Sequence, residues 1–241
     1  MSHTEVDHAK QVARRRVWTL LECERASPPG VYGNIPWFTG ADQAAARLAA
    51  LDIWRQAQVI KSNPDHAQYP VRLQALRDGK LLYMAVPRIA TTRPFYRLDP
   101  TTLTVPFEDA TTARGASQVA PTVSPEDMRP VDLVIAGSVA VNRNGARLGK
   151  GAGYSDLEVA LLIEAGLIRP NTVIATTVHD LQIVDDSLPE TDHDFSVDLI
   201  VTPSQSIRCP DPRRPVGIIP DHLTARMART IPILHRWSPQ R

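Results

Sequence analysis

The stretch RLGKGAGYSDLE, from Arg147 to Glu158, joins a segment with the pattern of a buried strand to one with the pattern of a helix. The preceding run, VDLVIAGSVAV from Val131 to Val141, is almost entirely β-branched or small and apolar. Such a run is typical of a parallel strand that is covered on both faces. After the stretch, apolar residues recur at helical spacing until Gly166 ends the pattern. The sequence therefore predicts a strand, a glycine-rich turn and a helix in succession.

The glycine-rich turn has the features of an anion site. Its glycines let backbone N–H groups approach a ligand without an intervening Cβ, and a helix N-terminus favours negative charge. Ser155 and Glu158 have the spacing of a capping box, which would start the helix. The G-x-G-x-G spacing differs from the dinucleotide fingerprint, and Lys150 is followed by Gly151 rather than by the Ser or Thr of a Walker A loop. We expect a phosphate-binding loop of another class.

Composition favours one α/β domain over residues 1–241, because 241 residues with 43% apolar content can bury a substantial core. A formal net charge of +1 argues against a nucleic-acid partner. No stretch has the length of a membrane-spanning helix, and MSHTEVDHAK lacks the apolar core of a secretion signal. We therefore expect a cytoplasmic protein without a membrane partner. Cys23 and Cys209 are expected to be free thiols.

An N-terminal helix is predicted up to Ser27-Pro28-Pro29, because apolar residues recur on one side of the stretch from Val6 to Leu21. Lys10 and Arg14 lie one turn apart on a neighbouring face, so both can contact one phosphate. On spacing alone, a solvated basic stripe is the stronger interpretation.

The rest of the chain alternates between helical and strand patterns. We predict strands over 58–61, 81–86, 172–178 and 197–201, and helices after Gly40 and around 71–76. The alternation favours a mostly parallel sheet with helices on both faces. Lys61, at a predicted strand end, is expected to reach the site. Residues 91–129, apart from the short strand PFYRL, are expected to form long loops over one edge of the site. The C-terminal 23-residue stretch, PVGIIPDHLTARMARTIPILHRW, is expected to form a strand and a docking helix.

Several aromatic and histidine residues are candidates for a site. Four aromatic residues are candidate pocket walls for a flat substrate, and packing in the core explains them equally well: Trp37, Phe38, Phe95 and Tyr96. The pairs His179-Asp180 and His193-Asp194 raise the possibility of a metal site. For His179, a hydrogen bond to loop backbone is the stronger interpretation.

The glycine-rich turn resembles the central motif of the 5-formyltetrahydrofolate cyclo-ligase family, the methenyltetrahydrofolate synthetases, which reads approximately G-x-R-L-G-x-G-x-G-Y-Y-D. The matching positions are Gly145, Arg147, Leu148, Gly149, Gly151, Gly153, Tyr154 and Asp156. The resemblance is closer still to the family's divergent branch, the methenyltetrahydrofolate synthase domain-containing proteins, in which the turn reads G-K-G-x-G-Y-x-D-L-E. Ser155 stands where the family has its second tyrosine, a position on the substrate side of the motif. The stretch from Pro189 to Thr202 resembles a second family motif, P-x-x-x-H-D-x-x-V-D-x-I-x-T, with one register difference.

This resemblance implies a fold like that of the NagB/RpiA/CoA-transferase group. It also implies an ATP- and Mg²⁺-dependent conversion of 5-formyltetrahydrofolate to 5,10-methenyltetrahydrofolate through a phosphorylated formyl intermediate. Two alternatives stay open: the same chemistry on another small formamide or amide, and a non-catalytic paralogue that binds nucleotide or folate. The expected partner is a reduced folate or related formamide, and the expected state is a monomer or homodimer.

The resemblance assigns roles to most of the candidate residues, and Trp37 and Phe38 are added as aromatic residues able to stack on a flat substrate. The family begins with a K-x-x-x-R pair for the nucleotide phosphates, so ATP would be bound by Lys10 and Arg14 together with the turn, namely Gly149, Lys150, Gly151, Ala152, Gly153 and Tyr154. Arg147, Lys150 and Tyr154 would be catalytic. Asp156 would hold Mg²⁺. The substrate would be bound by Trp37, Phe38, Phe95, Tyr96 and Asp194.

Overall fold

The computed structural model describes residues 3–237, in which helices and strands alternate. The helices are α1 (His3–Cys23), α2 (Ala41–Ala49), α3 (Asp52–Gln56), α4 (Tyr69–Arg77), α5 (Phe107–Ala110), α6 (Ala113–Val119), α7 (Tyr154–Glu164) and α8 (Ala225–Thr230). The strands are β1 (Val59–Ser62), β2 (Leu81–Ala85), β3 (Phe95–Leu98), β4 (Thr122–Val123), β5 (Val131–Ala136), β6 (Ala140–Asn142), β7 (Arg147–Leu148), β8 (Ile168–Thr177), β9 (Ile183–Val184), β10 (Leu199–Val201) and β11 (Ser206–Arg208). Short 3-10 turns at Pro87–Ile89, Asp180–Gln182, Pro220–His222 and Pro232–Trp237 connect some of them.

The main sheet has eight strands in the order β11-β10-β8-β5-β1-β2-β3-β4. The run from β10 to β2 is parallel, and the antiparallel strands β11, β3 and β4 extend its two edges. Apolar residues of α2 and α4 pack on one face of the sheet, and those of α7 pack on the other. The predicted mostly parallel sheet with helices on both faces is therefore confirmed.

The run VDLVIAGSVAV is two strands rather than one. β5 ends at Ala136, and β6 starts at Ala140 in a separate three-stranded sheet with order β7-β6-β9. Between them the Gly137 N–H donates to Asn63 Oδ1 at 3.0 Å, and the Ser138 and Thr176 hydroxyls lie 2.8 Å apart. These side-chain contacts turn the chain out of the main sheet. Both strands are buried, so hydrophobic pattern alone could not locate the break.

The expectation of long loops over the site in residues 91–129 is also wrong. They fold into β3, α5, α6 and β4, which extend the main sheet at its edge and pack on its core.

In the C-terminal stretch, residues 213–219 are irregular rather than a strand. The expected docking does occur, since Ile218, Ile231 and Leu234 are buried against α7. Both cysteines are free. Within residues 3–237, no helix is long and apolar enough to cross a membrane.

Gly145, in the turn between β6 and β7, allows a close approach that fixes the second sheet. Its φ is +93°, and a Cβ built there would lie 2.3 Å from the Val197 carbonyl oxygen. The Gly145 carbonyl also accepts a 2.8 Å hydrogen bond from the Val197 N–H. An added methyl group therefore pushes apart two hydrogen-bonded segments.

We predict that Gly145→Ala destabilises the protein more than Gly79→Ala does. Gly79 also has a positive φ, of +72°, but a Cβ there meets nothing within 4 Å. Each alanine costs about 1–2 kcal/mol for the left-handed conformation, and the clash at Gly145 adds about 1–3 kcal/mol. Urea denaturation of both variants measures the difference. Equal destabilisation would show that the approach to Val197 is not a constraint.

Candidate functional site

The candidate site is a cleft at the carboxyl ends of β1, β2 and β5, where ligands bind in open α/β sheets. Its volume is about 1190 Å³. The turn from Gly149 to Gly153 lies in it, together with α1, the start of α7 and the C-terminal stretch from Gly217 to Thr230. Pockets that hold a single small ligand have volumes of about 300–1,000 Å³, and this cleft is larger. The cleft is large enough for two ligands bound together.

The start of α7 differs from the predicted capping box. The residue before the helix is Gly153 in the left-handed conformation, and no side chain caps the helix. Ser155 instead donates to Asn63 Oδ1 at 3.3 Å, and Glu158 accepts from Asn63 Nδ2 at 2.8 Å and from the Lys61 ammonium. Glu158 is buried and makes these contacts instead of a bond to the helix start. The capping-box prediction is wrong because long-range partners bind both side chains.

Lys61 therefore lies beneath the cleft rather than in it. Lys61 is 0% exposed and Glu158 is 4% exposed, and the pair joins β1 to α7. Burial raises the pKa of Glu158, and the neighbouring Lys61 opposes that rise. The pair holds the first turns of α7, and with them the glycine-rich turn, against the centre of the sheet.

Four basic residues of the cleft surround the glycine-rich turn: Lys10, Arg14, Arg147 and Lys150. Lys10 binds Asp194, Arg147 Nη1 binds Asp156 at 3.0 Å, and Lys150 binds Asp65 at 2.8 Å. Arg14 Nε donates to the Gly149 carbonyl at 2.7 Å. Lys10, Arg147 and Lys150 each face a carboxylate. Helix α1 brings Lys10 and Arg14 to the turn. A solvated basic stripe is therefore ruled out for Lys10 and Arg14, which are both buried.

Arg147 is the most constrained of these cations. It is 3% exposed, its Nη2 donates to the Gly137 carbonyl at 3.3 Å, and its guanidinium carbon lies 4.3 Å from the centre of the Phe195 ring. Its Nε is buried and has no hydrogen-bond partner among the described residues. An arginine held this firmly with one unused donor is well placed to bind an anion.

Asp194 connects α1 to the loop before β10. It accepts hydrogen bonds from Lys10 and from the Thr191 backbone and hydroxyl. Burial tends to raise the pKa of Asp194, but the hydrogen bond and charge of Lys10 and the Thr191 bonds keep that pKa below its usual value. Next to it, His193 Nδ1 lies 2.9 Å from His222 Nδ1, and burial lowers the pKa of His193.

The four aromatic candidates do not meet the other predicted site residues, because none of them lines the cleft. Phe38, Phe95 and Tyr96 are buried in the core, and Trp37 packs at its edge against His66. His179 accepts a 3.2 Å hydrogen bond from the Leu181 N–H, so its expected contact with loop backbone is confirmed. In the described part of the chain, no three His, Cys, Asp or Glu residues are grouped to hold a metal.

Several cleft residues were missed at the sequence level. The turn of Asn63, Pro64 and Asp65 lines the cleft, as does Arg88 after β2. Arg72 of α4 holds that turn, since it is buried and donates to the Asn63 and Asp65 carbonyls at 2.6 and 2.9 Å. Burial lowers the pKa of Arg72 to about 10. The carboxyl ends of predicted parallel strands were the available signal for Asn63 and Arg88.

Comparison with known proteins gives consistent results. A family model described as the 5-formyltetrahydrofolate cyclo-ligase family matches residues 6–203. The methenyltetrahydrofolate synthase domain-containing protein of Mus musculus is 36% identical over 241 residues, which cover 96% of this chain and 63% of the relative. The protein of that name from Homo sapiens is 34% identical over 244 residues, with 97% and 62% covered. The chain thus spans about three fifths of the length of these relatives.

A solved structure shares the fold. The NMR structure of the 5,10-methenyltetrahydrofolate synthetase of Aquifex aeolicus superposes with a TM-score of 0.54. The two chains are 21% identical, and the match covers 86% of this chain and 93% of that one. At this identity the likeness supports the architecture and not the activity.

We predict that Asp194→Asn destabilises the protein by about 3–5 kcal/mol at neutral pH, because Lys10 is left buried without its counter-charge. The lowered folded-state pKa of Asp194 means that the wild type has this stabilisation above about pH 4 and loses it as the pH falls through that pKa. The difference between variant and wild type should therefore shrink in acid. Urea denaturation between pH 3 and pH 7 measures it.

Asp186→Asn is the matched control, since its ion pair with Arg16 is exposed and is expected to contribute less than about 1 kcal/mol. A loss of stability in Asp194→Asn that is no larger than in the control would contradict the structural role of the Lys10–Asp194 pair.

Proposed function

We propose that this chain, which belongs to the 5-formyltetrahydrofolate cyclo-ligase family, is an ATP- and Mg²⁺-dependent ligase that closes 5-formyltetrahydrofolate to 5,10-methenyltetrahydrofolate. The observation that carries the proposal is the convergence of the glycine-rich turn with three buried cations in a cleft large enough for two ligands. Those cations are Lys10, Arg14 and Arg147.

The turn fits the phosphates of a nucleotide on two counts. The buried Nε of Arg147 is an unused donor, and a phosphate oxygen is a suitable acceptor for it. Glycine also suits the turn, because a Cβ at Gly149 would lie 2.8 Å from Nη2 of the buried Arg147, and Gly153 has a φ of +71°, which favours glycine. Larger residues would displace the groups that surround the anion.

Phosphoryl transfer solves the chemical difficulty of closing a formamide, whose oxygen is a poor leaving group. In the proposed reaction the formyl oxygen attacks the γ-phosphorus of ATP and ADP leaves. The neighbouring amine then attacks the activated carbon, its proton is lost, and the formyl oxygen departs as part of inorganic phosphate. Such chemistry needs mainly positioning and charge neutralisation from the protein. Arg147 and Lys150 supply positive charge beside the turn, and Tyr154, at the start of α7, is proposed to orient the formyl group.

Mg²⁺ would bind to Asp156. Its Oδ1 accepts from Arg147, its side chain lies at the cleft, and Mg²⁺ commonly takes one or two carboxylates and completes its shell with phosphates and water. A single aspartate therefore fits the requirement, even though the described residues contain no larger acidic group. When bound, the ion would neutralise charge on the transferred phosphoryl group.

A second candidate is the same chemistry on a smaller formamide or amide. The observation that favours it is the position of Trp37, Phe38, Phe95 and Tyr96, which leaves the cleft without these aromatic walls for a pteridine. Ser155, where the family has a second tyrosine, also favours a substrate other than the folate. A single domain, a cytoplasmic location and a monomeric or homodimeric state stay predictions.

We predict that 5-formyltetrahydrofolate stimulates ADP release from Mg²⁺-ATP, and a panel of small formamides tests the second candidate in the same assay. Arg147→Lys, which keeps the charge but loses the fork, should lower kcat about a hundred- to a thousandfold. Arg143→Lys, in the same hairpin and exposed, is the control and should retain wild-type activity. If no formamide stimulates ADP release, the ligase proposal fails.

We predict that Asp156→Asn removes the contribution of Mg²⁺ to nucleotide binding. The amide keeps the size of the carboxylate and an acceptor for Arg147, but it is a much weaker ligand for a hard cation. Calorimetry with a non-hydrolysable ATP analogue should show that Mg²⁺ strengthens binding at least about tenfold in the wild type and has no such effect in the variant. The same Mg²⁺ effect in both proteins would leave Asp156 with the single role of holding Arg147.

A further inference from the structure

We propose that Arg88 forms a carboxylate-binding subsite for the second, non-nucleotide substrate of the cleft. This inference rests on the proposed function, which places the nucleotide at the glycine-rich turn. It adds a chemical requirement on the other ligand, which must carry a carboxylate. This requirement applies to a folate and to a smaller formamide alike.

The backbone at Arg88 is strained. Arg88 has φ +61° and ψ +14°, and the next residue, Ile89, has φ +52°. Side chains with a Cβ rarely adopt this conformation, and a β-branched residue there is a genuine outlier. Two such residues in a row follow β2, at the carboxyl edge of the sheet. Backbone strain persists only where the surroundings impose it, and it is concentrated at ligand sites.

Burial of Ile89 imposes the conformation. Its side chain is 0% exposed and packs with Leu161 of α7 and with Ile231 and Leu234 of the C-terminal stretch. With Ile89 fixed in this cluster, the preceding Arg88 is left exposed on the wall of the cleft. Ile231 and Leu234 lie beyond residue 203, where the family match ends. The support for this arginine therefore comes partly from a region that the family model does not cover.

The charges of the cleft leave Arg88 available for a ligand. Lys10, Arg147 and Lys150 each face a carboxylate of the protein. In contrast, Arg88 makes no ion pair or side-chain hydrogen bond with any residue between 3 and 237. A guanidinium offers a planar pair of donors that matches both oxygens of a carboxylate. Its exposure in the cleft, at a strained position, indicates that a ligand supplies the missing partner.

Its place in the sheet separates Arg88 from the phosphate end. In the strand order, β1 lies between β5, which leads to Gly137 and the turn, and β2, which leads to Arg88. Neighbouring strands are about 4.8 Å apart, so the ends of β5 and β2 are about 10 Å apart. A nucleotide on the turn and a carboxylate on Arg88 would therefore belong to two adjacent ligands. The cleft volume of about 1190 Å³ accommodates both.

Two matched pairs of probes test the subsite: 5-formyltetrahydrofolate with its bis-amide, and N-formylglutamate with its bis-amide. Within a pair only the carboxylates differ. Calorimetry is carried out on the full chain in the presence of a non-hydrolysable ATP analogue and Mg²⁺. The wild type should bind the carboxylate form of at least one pair about ten- to a hundredfold more tightly than its amide, the range expected for hydrogen bonds to a charged group. Arg88→Gly should lower the affinity for that carboxylate form to the level of the amide, without changing binding of the amide or of the nucleotide analogue.

Arg25→Gly is the control, because Arg25 is also exposed with a positive φ, of +54°, and lies outside the cleft. Glycine tolerates this conformation, so neither variant should lower the melting temperature. Arg88→Lys should recover only part of the affinity, since an ammonium lacks the planar fork.

The subsite is overturned if no carboxylate form binds the wild type more tightly than its amide. It is also overturned if Arg88→Gly weakens both members of a pair equally, or neither. Loss of nucleotide binding in Arg88→Gly would place the arginine at the phosphates instead, which also contradicts the proposal. Failure of the ligase proposal is separately visible, as a wild type that releases no ADP with any formamide.

Discussion

The buried ion pair between Lys61 and Glu158, shared with Asn63, is the contact on which the rest of the cleft depends. Moving two charges out of water costs several kcal/mol per ion, and only a close partner with further hydrogen bonds offsets that cost. Glu158 has both, from the Lys61 ammonium and the Asn63 amide. Separating α7 from β1 would leave a buried charge unpaired. The start of α7, and with it the glycine-rich turn, is therefore held firmly against the sheet.

Three of the four cations around the turn are ordered in the same way, by acidic groups of the protein itself. Lys10 is paired with Asp194, and Arg147 is held by Asp156 and by the Phe195 ring. A ligand that meets groups already in place loses less free energy to the ordering of side chains. Preorganised charge is also the arrangement that stabilises developing charge in a transition state. At Arg88, on the other side of the cleft, the buried Ile89 constrains the backbone, while the arginine side chain itself stays exposed.

Features set by local sequence could be predicted, and features set by distant partners could not. Glycine spacing and helical period predicted the turn and the end of α7 to within two residues, whereas the capping box expected at its start does not form. The spacing of Lys10 and Arg14 allowed for their convergence. The break after Ala136 depends on Asn63, 73 residues earlier in the chain, so the strand pattern carried no sign of it. The positions of Phe38 and Phe95 also could not be predicted from local sequence. An aromatic residue in a sequence is equally suited to a core or to a pocket, and only packing decides between them.

Transfer of the γ-phosphoryl group to the formyl oxygen is the step for which this cleft is proposed to be built. Isotopic labelling of that oxygen follows the step directly. With 5-formyltetrahydrofolate carrying ¹⁸O in its formyl group, each turnover should deliver the label into inorganic phosphate, which mass spectrometry detects. Labelled formamide that is consumed with release of entirely unlabelled phosphate would contradict the mechanism.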